Sequence, residues 1–266
     1  MDPRASFSWI SGFLAPVVAV AGFLFGAMPT TAQADFAPGP IPGIFNTGVG
    51  NTRTLLADGS SDLPYALTQT LIANGVGAPN SGGGVVVDSN IFPIGQGPWL
   101  PDSSVSKWIG PNANQSAPQF CSATSPANNP LVPFIYQMKF NLTGFNPKTE
   151  VASILGRWAS DNSAEMFLNG VEVASILQAP TFQAWHSFAF DSTNAPFISG
   201  TNTLEFDVYN LYPPPPNNPN DNPTGLRVEI AGNVNAVPEP ATLSLASVGL
   251  AGVLAYGWRR KFRTLI

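Results

Sequence analysis

The chain is poor in charge and in reactive side chains. Only 10% of its 266 residues are charged, and it contains a single cysteine, Cys121, and a single histidine, His186. One thiol cannot form an internal disulfide. One thiol and one imidazole also fall short of the usual ligand count of a zinc site. These shortages exclude a disulfide scaffold and a zinc centre.

Catalytic constellations are missing as well. A Ser-His-Asp triad would have to use His186, which lies between aromatic residues in the stretch QAWHSFAF, and the sequence has no nucleophile elbow. Asp161 and Glu165 could be considered as a glycosidase pair. However, Asp161 and Asn162 fall in a predicted turn, where such side chains cap the backbone. We therefore predict no catalytic residues and a protein that is not an enzyme.

The third shortage is positive charge. Between residues 35 and 240 the chain has fifteen acidic residues but only six basic ones, and the basic residues form no run. Nucleic-acid binding requires a concentrated positive surface. This composition excludes nucleic acid as a partner.

Long hydrophobic stretches occur only near the two ends of the chain. At the N-terminus one cation, Arg4, precedes an apolar run over residues 13–28, and Ala32-Gln33-Ala34 follows as a small-x-small site. This pattern predicts a signal helix that signal peptidase removes, leaving Asp35 as the new N-terminus. An uncleaved membrane anchor is the alternative. Cleavage is favoured because the site follows the apolar run directly.

The C-terminal stretch from Ala241 to Trp258 contains no charge. Eighteen helical residues span about 27 Å, close to the thickness of the hydrocarbon layer, so we predict a single transmembrane helix. The basic residues that follow it keep the chain end in the cytoplasm, which places the rest of the protein outside. These basic residues are Arg259, Arg260, Lys261 and Arg263.

Two simpler interpretations of this tail leave features unexplained. A permanent anchor gives no role to the preceding motif, Val237-Pro238-Glu239-Pro240. A buried core helix explains neither the length without charge nor the basic end. The order of motif, apolar helix and basic end therefore favours a sorting tail.

The stretch VPEPATLSLASVGLAGVLAYGWRRKFR resembles the PEP-CTERM sorting signal of Gram-negative bacteria in its motif, its apolar helix and its basic end. The resemblance implies that exosortase, a membrane-embedded transpeptidase, processes the protein at Val237-Pro238-Glu239-Pro240. The tail would hold the protein in the inner membrane transiently, before it reaches the cell surface or the extracellular space. Proteins with this tail are associated with extracellular polysaccharide and the biofilm matrix.

The body between the two ends predicts β-structure. Short runs alternate between apolar and polar residues, no helical period of useful length appears, and glycine and proline separate the runs. The predicted strands are Tyr65–Ile72, Gly84–Asp88, Phe134–Leu142, Ala152–Trp158, Ala164–Leu168, Val171–Ile176, Trp185–Phe190, Thr203–Leu211 and Leu226–Ala231.

The clearest local pattern is ILGRWASDNSAEMFLNGVEVASI. It predicts strands over 154–158 and 164–168 joined by a turn at 160–163. Asn169-Gly170 then predicts a two-residue hairpin turn, from which a third strand begins at Val171. Three consecutive antiparallel strands favour an all-β fold, a two-sheet antiparallel sandwich of jelly-roll type.

The segments GRWASDNSAEMFLNG, GTNTLEFDVYN and PTGLRVEIAG resemble the galactose-binding-domain-like jelly rolls of exported bacterial proteins. The resemblance covers about residues 45–233. It implies a body that binds carbohydrate or serves as a structural module. Many members of that fold also carry a structural calcium ion, which makes calcium the candidate cofactor.

Candidate ligand contacts come from two loops. Trp99 and Trp108 lie in the loop-rich stretch GPWLPDSSVSKWIGPN and could stack on a sugar, with Asp161 and Asn162 as polar contacts. For each tryptophan taken alone, however, packing within the protein is favoured over stacking on a ligand.

Candidate calcium ligands are chosen for hard oxygen atoms on loops, which calcium prefers. Asp58 and Asp62 stand on either side of Gly59, and Glu229 from the last strand could complete such a site.

We predict three segments: a signal peptide over residues 1–34, a β-sandwich body over 35–236 and a sorting tail over 237–266. The predicted function is that of an exosortase-sorted protein of the cell surface or extracellular matrix, which binds carbohydrate or associates with exopolysaccharide. The alternative is a purely structural or adhesive surface protein without a sugar site. A hydrolase is disfavoured.

Overall fold

The computed structural model describes residues 39–72, 75–77, 82–115, 133–211, 222–237 and 246–256. A compact unit spans Ala34–Pro238, and the described residues of this unit form β-strands joined by turns and loops. In chain order the strands are β1 (Gly39–Pro40), β2 (Ser61–Asp62), β3 (Ala66–Ile72), β4 (Gly75–Gly77), β5 (Gly84–Val86), β6 (Ile109–Gly110), β7 (Phe134–Asn141), β8 (Glu150–Asp161), β9 (Ser163–Leu168), β10 (Val171–Ile176), β11 (His186–Asp191), β12 (Thr201–Tyr209) and β13 (Gly225–Ala236).

These strands form two antiparallel sheets. The strand order of the first sheet is β11-β8-β13-β6-β5-β2, with β1 also paired to β13, and that of the second is β10-β9-β12-β7-β3-β4. The two sheets pack face to face around one hydrophobic core. The predicted fold class is confirmed: the body is an all-β, two-sheet antiparallel jelly-roll sandwich.

The core forms because alternate residues of the long strands are apolar. On β12, Leu204, Phe206 and Val208 are fully buried, whereas the residues between them are only partly buried. The neighbouring β7 buries Tyr136 in the same way. From the opposite sheet Trp158 packs with its ring centroid 6.0 Å from that of Phe206. Removal of these side chains from water is the main force that holds the sheets together.

The predicted hairpin at Asn169-Gly170 is confirmed. The two residues connect β9 to β10, and their φ angles are 49° and 82°, as a two-residue turn of this type requires. The Asn169 side chain also accepts a hydrogen bond from the Thr203 N–H at 2.9 Å and donates one to the Asn202 Oδ1 at 2.9 Å. The turn is therefore tied to the start of β12.

The predicted turn at 160–163 is wrong. β8 continues to Asp161, and β9, which begins two residues later, belongs to the opposite sheet. The chain changes sheet at Asn162, whose N–H donates to the Tyr209 carbonyl at 3.0 Å and whose Oδ1 accepts from the Leu211 N–H at 2.9 Å. These bonds hold Asn162 at the point where the chain passes from one sheet to the other, so β8 and β9 are consecutive strands that do not pair with each other.

The other predictions for the two ends fall largely on residues that the structure does not describe. The signal peptide with its cleavage residues Ala32 and Ala34 lies outside the described residues. A helix covers 246–256, within the predicted transmembrane stretch. Among the described residues, no helix combines the length and the apolar character that crossing a membrane requires.

Candidate functional site

The sorting tail begins where the last strand of the body ends. At the end of β13, Ala236 pairs with Glu150, and Val237 then donates its N–H to the Thr149 carbonyl at 2.7 Å. Val237 is itself exposed. Within the described residues, therefore, no linker separates the sandwich from the first residue of the motif. The remaining tail residues of the prediction lie outside the described part: Pro238, Glu239, Pro240, Arg259, Arg260, Lys261 and Arg263.

The structure shows Trp99 and Trp108 packed within the protein, as favoured above, and not exposed as ligand contacts. Their side chains are 3% and 0% exposed, and their ring centroids lie 4.2 Å apart in a small cluster outside the main core. The Trp108 Nε1–H donates to the Leu100 carbonyl at 2.7 Å, and the Trp99 Nε1–H donates to the Asp161 carboxylate at 2.8 Å. Since the indole N–H groups have internal partners, both rings pack rather than offer a face to a sugar.

Asp161 and Asn162 are likewise engaged within the protein. One carboxylate oxygen of Asp161 accepts from Trp99, and the other accepts from the Asn162 Nδ2 at 2.6 Å. Burial raises the pKa of Asp161 to about 7, and the hydrogen bond from Trp99 opposes this rise. These two consecutive residues support the crossing between the sheets instead of presenting polar atoms to a ligand.

The three candidate calcium ligands do not form one site. Asp58 lies 2.6 Å from the Lys107 ammonium, Asp62 accepts the Gly48 N–H at 2.6 Å, and Glu229 pairs with arginine. Among the described residues, no group of three or more histidine, cysteine, aspartate or glutamate side chains could hold a metal ion. Since Asp58 and Glu229 each have a cationic partner, their charges are compensated without calcium, and these residues do not fit such a site.

The structure instead assembles a charged cluster around Trp185. The guanidinium carbons of Arg157 and Arg227 lie 4.5 Å and 4.7 Å from the Trp185 ring centroid, which is cation–π geometry. Arg157 and Glu229 face each other across β8 and β13, with an N–O distance of 2.6 Å. Ser106 Oγ donates to the other Glu229 oxygen at 2.8 Å. This network fixes the position of Arg157.

Glu229 stays ionised in this network. Burial opposes its ionisation, but hydrogen bonds from Ser106 and Arg157 outweigh burial, and the pKa of Glu229 lies below its usual value. Arg227, which is buried, also places its guanidinium 3.7 Å from the same carboxylate. Both oxygens of Glu229 are therefore engaged within the protein, and the half-exposed guanidinium of Arg157 is the group of this cluster that could contact a polar ligand.

Next to this cluster, the outer face of the first sheet is open. Leu155 is 59% exposed and lies on the same side of β8 as Arg157, whose side chain is 48% exposed. The strand neighbours of Leu155 are Ala189 on β11 and Ala231 on β13, and both are exposed. We call Leu155, Ala189, Ala231, Arg157 and Glu229 the open face.

The sequence analysis missed this face, although one signal was present. The alternation along β8 places Ile154 and Trp158 on the side opposite to Leu155 and Arg157. Leu155 is an apolar residue on the side of β8 that faces away from the core, and this exception to the alternation could have identified the surface. The Arg157–Glu229 pair could not be found this way, because the two residues are 72 positions apart.

Residues 236–261 match the PEP-CTERM protein-sorting motif. This body is thus a jelly-roll sandwich that carries a C-terminal sorting signal, and the resemblance that the tail suggested is confirmed. The match places the sorting signal directly after the last strand. No curated protein matches the chain.

Solved structures with a similar fold include carbohydrate-binding modules. The CBM36-1 domain of a multidomain xylanase from the hindgut metagenome of Trinervitermes trinervoides is 11% identical, with a TM-score of 0.25, and the match covers 46% of this chain and 93% of that one. CBM35 from Cellvibrio japonicus Abf62 is 12% identical, with a TM-score of 0.25 and coverages of 50% and 78%. The GH31 alpha-xylosidase from Xanthomonas citri is 13% identical, with a TM-score of 0.23 and coverages of 75% and 19%. Similarity at these TM-scores carries no argument about ligand or activity.

Proposed function

We propose that this protein is exported, held transiently in the inner membrane by its C-terminal tail, and then separated from the tail by exosortase. The supporting observation is that the sorting motif starts at residue 236, where β13 ends. Processing within Val237-Pro238-Glu239-Pro240 would therefore remove the tail without cutting a strand of the sandwich. The product is a non-enzymatic protein of the cell surface or extracellular matrix.

Mass spectrometry of the mature extracellular form tests both processing steps. We expect an N-terminus at Asp35 and a C-terminus within or next to the motif, with the apolar tail absent. An extracellular protein that retains residues 241–266 would contradict processing at the motif. An N-terminus before residue 32 would contradict the signal-peptide cleavage.

For the body we propose carbohydrate binding, with exopolysaccharide as the partner. The open face supports this proposal, because it places the exposed Leu155 beside the half-exposed guanidinium of Arg157, which Glu229 holds in position. Sugar recognition needs both an apolar surface and a few oriented polar groups. The alternative is a structural or adhesive surface protein without a sugar site.

Binding to a glycan array or in a polysaccharide pull-down, with the body over residues 35–236, separates these alternatives. We expect saturable binding that Arg157→Ala weakens about tenfold, because charge-assisted hydrogen bonds to the ligand would be lost. Lys139→Gln is the control, since Lys139 is an exposed cation on β7 in the other sheet. Absence of saturable binding to every glycan would support the structural alternative.

A further inference from the structure

A second surface feature includes Ile230, which lies between the open-face residues Glu229 and Ala231 on β13. The turn that follows the first strand and the loop before β6 enclose a groove of about 260 Å³ at the side of β13. The groove is lined mainly by aliphatic side chains, with one aromatic ring and one cation. Its lining residues are Ile44, Phe45, Asn46, Val49, Arg53, Leu55, Ser104, Val105 and Ile230. We call this the Arg53 groove.

Arg53 is the cation of this groove and has no acidic partner in the described part of the chain. Its guanidinium carbon lies 5.1 Å from the centroid of the Phe45 ring, and no acidic side chain lines the groove. Three other basic residues of the body have acidic partners: Lys107 pairs with Asp58, and Arg157 and Arg227 both lie beside Glu229. Lys139 and Lys148 have no ion pair in the described part of the chain, but neither of them lines the Arg53 groove. A guanidinium stacked on a ring keeps its N–H edges free, and these edges match a carboxylate.

The backbone also holds Arg53 in an unusual conformation. Its φ angle is 61°, in the left-handed region that favours glycine and asparagine. The turn is closed by hydrogen bonds from the Gly50 N–H to the Thr54 carbonyl at 3.0 Å and from the Arg53 N–H to the Gly50 carbonyl at 2.8 Å. Asparagine is therefore the substitution that removes the guanidinium while suiting the backbone of this turn.

Apart from Arg53, the walls of the groove contain two polar side chains, Asn46 and Ser104. Asn46 uses its amide internally, donating to the Val105 carbonyl at 3.0 Å and accepting the Ile230 N–H at 2.8 Å. A neutral sugar in this groove would lose hydration around its hydroxyl groups with few hydrogen bonds in return. An apolar body that carries one anionic group would match both the aliphatic walls and the cation.

We propose that the Arg53 groove binds a small amphipathic carboxylate. The carboxylate pairs with the Arg53 guanidinium, and the apolar part of the ligand packs against Val49, Leu55 and Val105. The volume lies near the lower end of the roughly 300–1,000 Å³ typical of ligand pockets, so it fits one ring or a short chain. This proposal does not depend on carbohydrate binding at the open face.

Equilibrium dialysis of radiolabelled phenylacetate against the full chain in lipid nanodiscs tests the proposal, with empty nanodiscs correcting for partition into lipid. We expect saturable binding of phenylacetate. Phenylacetamide, which has the same shape without the charge, and acetate, which lacks the apolar body, should each bind at least about tenfold more weakly.

Two variants and one control identify the site. Arg53→Asn should weaken phenylacetate binding about tenfold or more while leaving the thermal midpoint unchanged or higher, because asparagine tolerates positive φ better. Val105→Asp, at a position that is 49% exposed, should also weaken binding by placing a negative charge in the wall. Lys139→Gln removes the same charge elsewhere and should leave binding unchanged. The proposal is overturned if phenylacetate does not bind, if phenylacetamide binds equally well, or if Arg53→Asn binds like the unmodified protein.

Discussion

Glu239→Gln is expected to abolish release of the body and to leave the full-length protein in the inner membrane. Glutamine keeps the size of the side chain but removes its charge, so the substitution tests whether exosortase reads the carboxylate between Pro238 and Pro240. The basic residues 259–263 are unchanged, so the tail keeps its orientation in the membrane.

Immunoblotting of membrane and extracellular fractions measures this effect. The variant should accumulate in the membrane fraction at the mass of the precursor without its signal peptide. Glu172→Gln is a matched control, because Glu172 is an exposed acid on β10, far from the motif in the sequence. Normal release of a Glu239→Gln body of mature size would show that the carboxylate plays no part in sorting.

Most strands could be predicted because their signal is local. β10 was predicted over the range that it occupies, Val171–Ile176, and the strand at Ala164–Leu168 begins one residue earlier. Alternation of apolar residues and the turn at Asn169-Gly170 are properties of a few neighbouring residues, and both are read directly from the sequence.

The ends of the strands were harder to predict from the sequence than their presence. The last strand was predicted over Leu226–Ala231, but β13 extends from Gly225 to Ala236. Its second half is polar and glycine-containing, GNVNA, and is a strand because the whole of β13 pairs with β8, from Gly225 opposite Asp161 to Ala236 opposite Glu150. Long-range pairing thus decided a boundary that local propensity could not.

The candidate binding residues failed for a related reason. Whether Trp99 is exposed depends on its distant partner Asp161, 62 positions away, and on the burial of Trp108 beside it. Glu229 was considered as a calcium ligand because its strand partner was unknown. Once β8 and β13 are paired, Arg157 lies opposite Glu229 and compensates its charge. Residue type alone therefore suggested binding roles for these side chains, whereas the strand register gives them partners within the protein.

The sandwich is expected to be more stable at pH 5.5 than at pH 8. Burial raises the pKa of Asp62 and of Asp161 to about 7, although hydrogen bonds to each carboxylate oppose this rise. The pKa of Asp207 is also about 7, first because of burial and then because of the negative charges of Glu205 and Glu165. All three values lie well above 3.8, the usual value of an aspartate.

The sign of the effect follows from proton binding. Between about pH 4 and pH 7 the folded protein holds more protons on these carboxyl groups than the unfolded chain does, so the free energy of unfolding falls as pH rises. Their contribution is fully present below the unfolded pKa and is lost as pH rises through the folded pKa near 7. Asp62 and Asp161 carry most of the change, because solvent screens the less buried Asp207. The total is on the order of a few kcal/mol, which would shift the thermal midpoint of a domain of this size by roughly ten degrees.

Thermal unfolding of the body over residues 35–236, followed from pH 5.5 to pH 8.5, measures this dependence. Asp207→Asn should raise the thermal midpoint at pH 8 and flatten the pH profile. The substitution removes the repulsion between Asp207 and the carboxylates of Glu205 and Glu165. It also removes a charge whose Oδ1 atom is buried without a hydrogen-bond partner in the described part of the chain. Asp191→Asn is the control. Hydrogen bonds from Thr193 lower the pKa of Asp191, which is half-buried, so its removal should not flatten the profile. A midpoint that rises from pH 5.5 to pH 8 would show that the three carboxyl groups titrate near their usual values, and that the hydrogen bonds to Asp62 and Asp161 outweigh their burial.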